Sequence, residues 1–498
     1  MKKHVWLFIV AACALCWLPG GSIAGEAPAK PKLLPPIPFS LNEVLAWIDR
    51  SHPLLKGAGT EKVAARGKML KALGAFEPAL INDTELERFV SSSNPGKGTQ
   101  TVGFNDTLIE ARHPWGFRGS AGFRQAIGDA QIPDLSFGDG NQQVILGGFM
   151  PLLKGLMVNP ENAEYQRSQL ADPRAEVKIS QTRQDLFLAA ATQFWDWVSV
   201  AKFVDVQRRA LGVAEERLRQ VEGRAKAGAV APLDVVEAGQ EVQRRREVAI
   251  AAQRAVEQEQ YKMSMFLWEN QAPTPPQLDR APEFPPPTAA PTAEIVQADK
   301  LQAKTDRPEI REVDIEAKIN NIDLELAKNN LLPSLDLEAA PARAPEKFAL
   351  GLGYRFGVEL RMPILQRRSR GEVLEAQAQA DRLVLVQKFR EQQVVVDVDN
   401  ALSAIERAKE RVAAATESLR MAKTLEEGER FRFSLGATSV LFVNLRERNS
   451  VDSEMQLVRA KADYQKALAL YQWATGTWAK SQPSAVPVNY RIGSSLSK

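Results

Sequence analysis

Between residues 394 and 425 apolar side chains recur in steps of four and three: Val394, Val398, Ala401, Ile405, Ala408, Val412, Ala415, Leu419 and Ala422. That is a heptad seam, the spacing with which one helix lays a stripe of side chains against another. A shift of 208 residues brings a second seam into the same steps: Leu186, Ala190, Gln193, Trp197, Val200, Val204, Gln207, Leu211, Ala214, Leu218, Val221 and Ala225. Only its two glutamines are polar. The same shift carries Gly228 onto Gly436. The chain therefore contains an internal repeat, and both long helices reach a glycine in phase.

Each glycine begins a turn. Glycine supplies the left-handed conformation that ends a helix, and Pro232 suits the first turn of the next one. After the first turn Val235, Ala238, Val242, Ala249, Ala252, Val256, Met263 and Phe266 return to the heptad frame, interrupted by Arg245 and Glu259. After the second, Leu457, Ala460, Tyr464, Ala467, Tyr471 and Ala474 do so. Each repeat is thus a long antiparallel helical hairpin. The descending helix over 370–434 would span ~95 Å at about 1.5 Å per residue. Pro173 should kink or break its counterpart in the first repeat. One heptad seam alone reads as ordinary bundle core. Two in-register hairpins, far longer than a domain is wide, predict a rod or a tube.

The segment 350–364, LGLGYRFGVELRMPI, alternates strictly. Leu350, Leu352, Tyr354, Phe356, Val358, Leu360, Met362 and Ile364 share one side, with glycine, charged residues and Pro363 on the other. The pattern fits a half-buried sheet in a soluble domain, or a barrel wall between lipid and a watery lumen. PSLDLEA (333–339) is its expected hairpin partner. In the first repeat GGFMPLLKG (147–155) matches ELRMPILQR (359–367) at a shift of 212, whereas FEPAL (76–80) matches LLPSL (331–335) at 255. The first repeat therefore carries about 43 extra residues between Pro78 and Met150. Part of them, 114–127, also alternates. It would form another strand, or an extra hairpin outside a barrel.

The 498 residues are 44% apolar and 25% charged, a globular composition. Residues 1–24 read as a secretory signal: MKKH, an apolar run, and a small-x-small cleavage site ending at Ala24. Cys13 offers a rival lipid-attachment site. Both cysteines, Cys13 and Cys16, lie in this segment, so no disulfide framework or thiolate site is expected beyond it. Net charge is +3, and about +1 without Lys2 and Lys3. A near-neutral chain with interspersed signs argues against nucleic acid. No stretch reaches ~18 uninterrupted apolar residues, so an exported chain that enters a membrane must do so as a barrel. His4, His52 and His113 have no metal-ligand spacing, and no phosphate loop or nucleophile elbow occurs. Neither a cofactor nor an enzymatic site is expected. Two Pro-rich stretches, 27–38 and 271–292, read as stiff extended segments.

These pieces resemble the TolC-type outer-membrane efflux proteins over roughly 39–479. The likeness rests on RPEI…AKNNLLPSLDL before a strand, on the MPLLKG and MPILQR junctions, and on R-x-x-x-G turns at Arg224–Gly228 and Arg432–Gly436. It implies an α+β membrane protein. Two repeats of coiled-coil hairpins would form a periplasmic α-barrel, and the strands a trimeric outer-membrane β-barrel with four strands from each subunit. The division expected is signal 1–24, lead-in 25–38, first repeat 39–270, connector 271–292, second repeat 293–479 and tail 480–498. The strands would lie within about 76–152 and about 333–364, and the helical hairpins at about 175–268 and about 370–476. The implied partners are two further copies of the chain, outer-membrane lipid, a periplasmic membrane-fusion adaptor and an inner-membrane RND, ABC or MFS transporter.

By the same resemblance the adaptor would dock on the turns, at Arg224, Gly228, Pro232, Asp234, Arg432, Gly436 and Thr438. Members of the family often place an Asp six residues after the turn glycine. The first repeat keeps it as Asp234, with Glu237 beyond it. The second has Phe442 and Leu445 at those offsets, so Phe442, Leu441 and Leu445 with Asp234 and Glu237 form the candidate gate. The alternative is that these side chains simply pack the hairpin. Arg430, Arg432, Arg446 and Arg448 would pair with Asp234, Glu237 or an adaptor, or be solvated. Leu352, Tyr354, Phe356, Val358 and Leu360 form the candidate lipid face. The rival to a channel is a pore-less periplasmic coiled-coil adaptor or scaffold, which would have one hairpin between β-rich domains. The transported substrate is not written in this sequence.

Overall fold

The computed structural model describes residues 38–90, 98–130, 142–289, 291–341 and 354–480. The signal segment with Cys13 and Cys16, Leu352 and the tail beyond 480 lie outside the described residues. Ser40 opens the described chain with a capping box. Its hydroxyl accepts from Glu43 N–H (3.2 Å), and the Glu43 carboxylate accepts from Ser40 N–H (3.1 Å). Helix α1 (Leu41–Ser51) and α2 (Pro53–Leu73) follow, then strands β1 (Ala79–Val90), β2 (Thr99–Arg112), β3 (Arg118–Gly128) and β4 (Gln142–Pro151). Helices α3 (Pro160–Gln169), α4 (Ala171–Lys226) and α5 (Pro232–Ser264) complete the first repeat. A two-stranded ribbon, β5 (Trp268–Glu269) with β6 (Ala272–Pro273), leads to α6 (Ala293–Asp306) and α7 (Pro308–Asn329). Strands β7 (Ser334–Pro341) and β8 (Tyr354–Arg361) precede α8 (Arg367–Ser434), α9 (Val440–Ala474) and the single turn α10 (Thr477–Lys480).

At 68 residues, α8 is ~100 Å long. Its counterpart is broken between α3 and α4 at Leu170. Pro173 lacks the N–H that would bond Gln169, and its ring crowds that carbonyl. The four long helices lie side by side in one layer, in the order α5, α4, α9, α8. Near the sheet α2 lies against α4, and α7 runs between α4 and α8. The heptad seam is the glue: Ile405, Ala408 and Val412 pack on Leu457, Ala460, Tyr464 and Ala467. Midway along, a thicker core surrounds α4. Phe39, Val44 and Ile48 close over Phe187, Phe194, Trp195 and Trp197 with Trp478. The Pro-rich connector does not stand free. Phe284 stacks on Trp195 at 5.8 Å, and Thr288 N–H donates to Tyr464 Oη at 3.0 Å.

The strands make one sheet in the order β1-β2-β3-β4-β7-β8, antiparallel throughout. PSLDLEA pairs with the alternating segment as a hairpin, Leu335 opposite Leu360 and Leu337 opposite Val358. Where the resemblance implied four strands from each subunit, the sheet has six among the described residues. The extra residues of the first repeat become β2 and β3, inside the sheet rather than beside it. Directly opposed residues share a face, so the register defines two faces. One carries Leu80, Ile109, Ala121 and Leu146 in a row, Phe123 beside Val144, Met150 beside Leu337 and Val358, and Phe356. The other carries Asp83, Asp106, Arg124 and Gln143 in a row, with Asp336 beside Glu359. Arg124 grips Asp106 through two bonds of 2.7 Å. No helix among the described residues is long and apolar enough to cross a membrane.

Candidate functional site: the helical tip

Both long hairpins turn at the end opposite the sheet, and they turn alike. In the first, Gly228 (φ 70°) follows α4, with Gly228 N–H donating to Ala225 O and Ala229 N–H to Arg224 O. In the second, Gly436 (φ 73°) follows α8, with Gly436 N–H donating to Phe433 O and Ala437 N–H to Arg432 O. Each pair of bonds is a Schellman closure, which needs a left-handed residue where glycine has no steric cost. The R-x-x-x-G motif thus places an arginine at the third residue from each helix end. Arg224 uses this position to bridge the hairpins. Its guanidinium donates to Phe433 O (3.2 Å) and Ser434 O (3.3 Å), carbonyls at the C-terminus of α8, and lies over the Phe433 ring. A cation there also meets the negative end of the helix dipole. Arg432 instead pairs within its own helix, with Glu429 at 3.5 Å.

The turns restart differently. Pro232 begins α5, and the Asp234 carboxylate accepts from Ala231 N–H at 3.2 Å. Asp234 is therefore occupied in closing a helix start. Phe442 holds the equivalent position in α9 and has no such capacity. The second-repeat turn shows its apolar side chains to solvent: Leu441, Phe442 and Leu445 are exposed, whereas Val440 and Val443 are buried. Thr438 is half-buried. Leu233 and Val236 are exposed on the first turn, and sequence reasoning passed over them. Behind both turns one small core joins all four helices: Val221, Ala238 and Val440, with Leu218, Val235 and Phe433 against them.

Above that core lies a network built from charged residues, and it departs from expectation. Arg448 of α9 donates to Glu241 of α5 at 2.7 and 3.1 Å, not to Asp234 or Glu237. Arg244 (2.6 and 2.8 Å) and Arg245 (2.9 Å) complete a three-arginine clamp on Glu241, which is 4% exposed. Burial alone would raise the pKa of Glu241, but hydrogen bonds from Arg244 and Arg448, with the charges of Arg244 and Arg245, hold it at about 2. On the neighbouring pair Arg430 of α8 bonds Glu447 of α9 (3.0 Å), and the buried Arg217 of α4 reaches the same carboxylate. Glu237 and Arg446 have no side-chain partner among the described residues. Between α4 and α8 a groove of about 1020 Å³ opens beside the turns, lined by Arg209, Arg217, Arg224, Arg430 and Phe433 among others. The local pair Glu241–Arg245 was signalled by its i,i+4 spacing; the partner Arg448, 207 residues away, was not.

Paired helical hairpins meet at a tip and hang from one antiparallel sheet, the arrangement that the resemblance implied. A scan of protein-family models finds no match, and neither does a search of curated proteins. Solved structures do match. A membrane protein from Pseudomonas aeruginosa is similar with a TM-score of 0.66 at 16% identity, covering 88% of this chain and 91% of that one. The CmeC outer membrane channel of Campylobacter jejuni gives 0.63 at 13%, covering 88% and 85%. The open-state MtrE outer membrane channel of Neisseria gonorrhoeae gives 0.62 at 15%, covering 88% of each. At such identities the likeness is one of fold.

Proposed function

We propose that this chain is one subunit of a trimeric outer-membrane channel-tunnel, the exit duct of a tripartite efflux or type I secretion system. The observation that carries the reading is the sheet. Its apolar face is exposed: Leu80 is 74% and Phe356 76% accessible, with Ile109, Phe123, Leu146, Val358 and Leu360 alongside. Such a face stable in water would be a liability; against hydrocarbon it is a requirement. Phe356, Val358 and Leu360 are then lipid contacts; Leu352 and the Tyr354 side chain, expected on the same face from the alternation of the sequence, lie outside what is described. A pore-less adaptor has no use for this surface.

The lateral edges support a ring. One edge of the chain is β1, α2 and α5; the other is β8 and α8. Edge strands carry unpaired backbone groups that lipid cannot satisfy. Edge helices carry exposed apolar side chains, Leu233, Val236 and Ile250 on α5 and Leu385, Phe389 and Met421 on α8. Joining one edge to the other on the next copy is a head-to-tail contact, which closes as a ring when the rotation allows. The tip, with Arg224, Gly228, Pro232, Asp234, Arg432, Gly436 and Thr438, is then the periplasmic mouth and the docking site for a membrane-fusion adaptor bound to an inner-membrane RND, ABC or MFS pump. Leu441, Phe442 and Leu445 narrow that mouth by excluding water, with Asp234 and Glu237 at its rim. The test is the mass of the protein extracted from isolated outer membranes, by light scattering in detergent. Three chains per particle are expected. A periplasmic monomer or dimer overturns the reading in favour of an adaptor or scaffold.

A further inference from the structure

Resting on the trimeric reading, we infer that the barrel of this protein closes with eighteen strands, six from each copy, around a lumen wider than a twelve-stranded wall encloses. The residues that decide this are those of β2 and β3. They are bonded into the sheet on both sides: twelve residue pairs join β1 to β2, eleven join β2 to β3 and eight join β3 to β4. Rows of both faces run through them, although Thr84, Asn105, Gln125 and Gln142 form a polar row on the apolar face. On the apolar face Ile109 and Ala121 fill the row between Leu80 and Leu146, and Phe123 sits beside Val144. On the polar face Asp106 and Arg124 link Asp83 to Gln143.

The lower turn of this hairpin is built into the junction where the barrel becomes helical. His113 N–H donates to Phe117 O at 2.7 Å and Gly116 N–H to His113 O at 2.8 Å, closing the turn. Met157 N–H then donates to Trp115 O (3.1 Å), Asn159 Nδ2 to Pro114 O (2.8 Å) and Arg112 Nη1 to Glu161 Oε1 (3.3 Å). Gly116 (φ 94°) passes so close to the junction that a Cβ there would lie 2.4 Å from Gly155 O. A hairpin projecting away from the wall would have none of these bonds.

Closure also obeys strand direction. Six strands per chain leave β1 and β8 running oppositely, so β8 of one copy meets an antiparallel β1 on the next. Barrel diameter rises roughly linearly with strand number, so eighteen strands give about 1.5 times the diameter of twelve. The wall of such a barrel would not be the narrowest part of the duct, leaving selection by size to the helical tip.

Single cysteines at Ile109, Phe123, Ser120 and Val358, introduced one at a time, test the wall. In isolated outer membranes a water-soluble maleimide should modify Ser120→Cys, on the lumen face, at least tenfold faster than Ile109→Cys, Phe123→Cys or the reference Val358→Cys. In end-on electron micrographs of the wild-type trimer the barrel end should measure about 1.5 times that of a twelve-stranded channel imaged alongside. Fast labelling of Ile109→Cys and Phe123→Cys with Val358→Cys protected, or an end of equal diameter, overturns the eighteen-stranded wall and leaves the channel reading intact. Fast labelling at Val358→Cys as well overturns both.

Discussion

Replacing Glu241 with glutamine removes the charge on which α5 and α9 meet at the tip. Glu241 is held by Arg244, Arg245 and Arg448. Arg245 is itself buried, and the glutamine would remove its hydrogen-bonded counterion and leave only the charge of Glu447 nearby; Arg244 and Arg448 are about 40% exposed and can turn to water. The carboxylate sits at about pKa 2 against an ordinary 4.5, a shift equivalent to about 3 kcal/mol in favour of the charged form. Removing one partner of a buried pair costs about 3–5 kcal/mol. Two half-solvated arginines lower that figure, so about 2–3 kcal/mol is expected for Glu241→Gln. The loss should be local. Amide hydrogen exchange in peptides covering 218–245 and 440–450 should accelerate about 30–160-fold at neutral pH, with no change in the sheet or near Trp197. The folded-state pKa lies below the unfolded value. The wild-type stabilisation is therefore full above about pH 4.5 and lost as pH falls toward 2, and the variant should lack that part of the pH dependence. Exchange within threefold of wild type would refute the reasoning and reduce the network to a solvated helix face.

Arg224→Ala removes the bonds to Phe433 O and Ser434 O. It should loosen the contact between the two turns by about 1–3 kcal/mol, read as faster protease cleavage near 226–232 and 434–440 in intact trimers. Gly436→Ala meets open space but keeps a left-handed backbone, so it should cost about 1–2 kcal/mol, with Gly436→Asn milder in thermal denaturation. Phe442→Ala should raise single-channel conductance in planar bilayers; no increase would count against a Phe442 gate. Trp197→Ala empties a fully buried site and should cost about 3–5 kcal/mol, seen as loss of folded protein in the outer membrane.

What could be read without coordinates was whatever is periodic and local. The heptad steps at 394–412 became buried seam residues, and those at 415–422 half-buried ones, because four- and three-residue steps keep one stripe facing one neighbour. The turns at Gly228 and Gly436 were legible because a left-handed helix end has a strong residue preference. The strand at Tyr354–Arg361 was legible because its two faces differ sharply. Strand β2 was not: Phe104 and Leu108 lie on the polar face and Asn105 and Thr107 on the apolar one, so its alternation is blurred and only its partners fix its register. The clamp on Glu241 joins helices from different repeats, and no spacing along the chain reports it. The thick core around Phe194 and Trp195 was hidden for another reason. A helix covered on all sides has no polar face, so its heptad is diluted by further apolar residues contributed to α1, the connector and α10.

The two open edges of the chain are chemically different, β1 with α5 on one side and β8 with α8 on the other. On the proposed trimeric reading, assembly behaves as a polymerisation that terminates by closing on itself. A chain damaged at only one edge can still add to a growing assembly through the sound edge, and it then blocks the last joint. In a cell carrying both forms, the yield of complete three-membered rings would fall as the cube of the sound fraction, so one defective copy in two would leave about one ring in eight. Edge substitutions in this protein are in that sense poisons, whereas losses of the buried core, which prevent joining altogether, are merely absences.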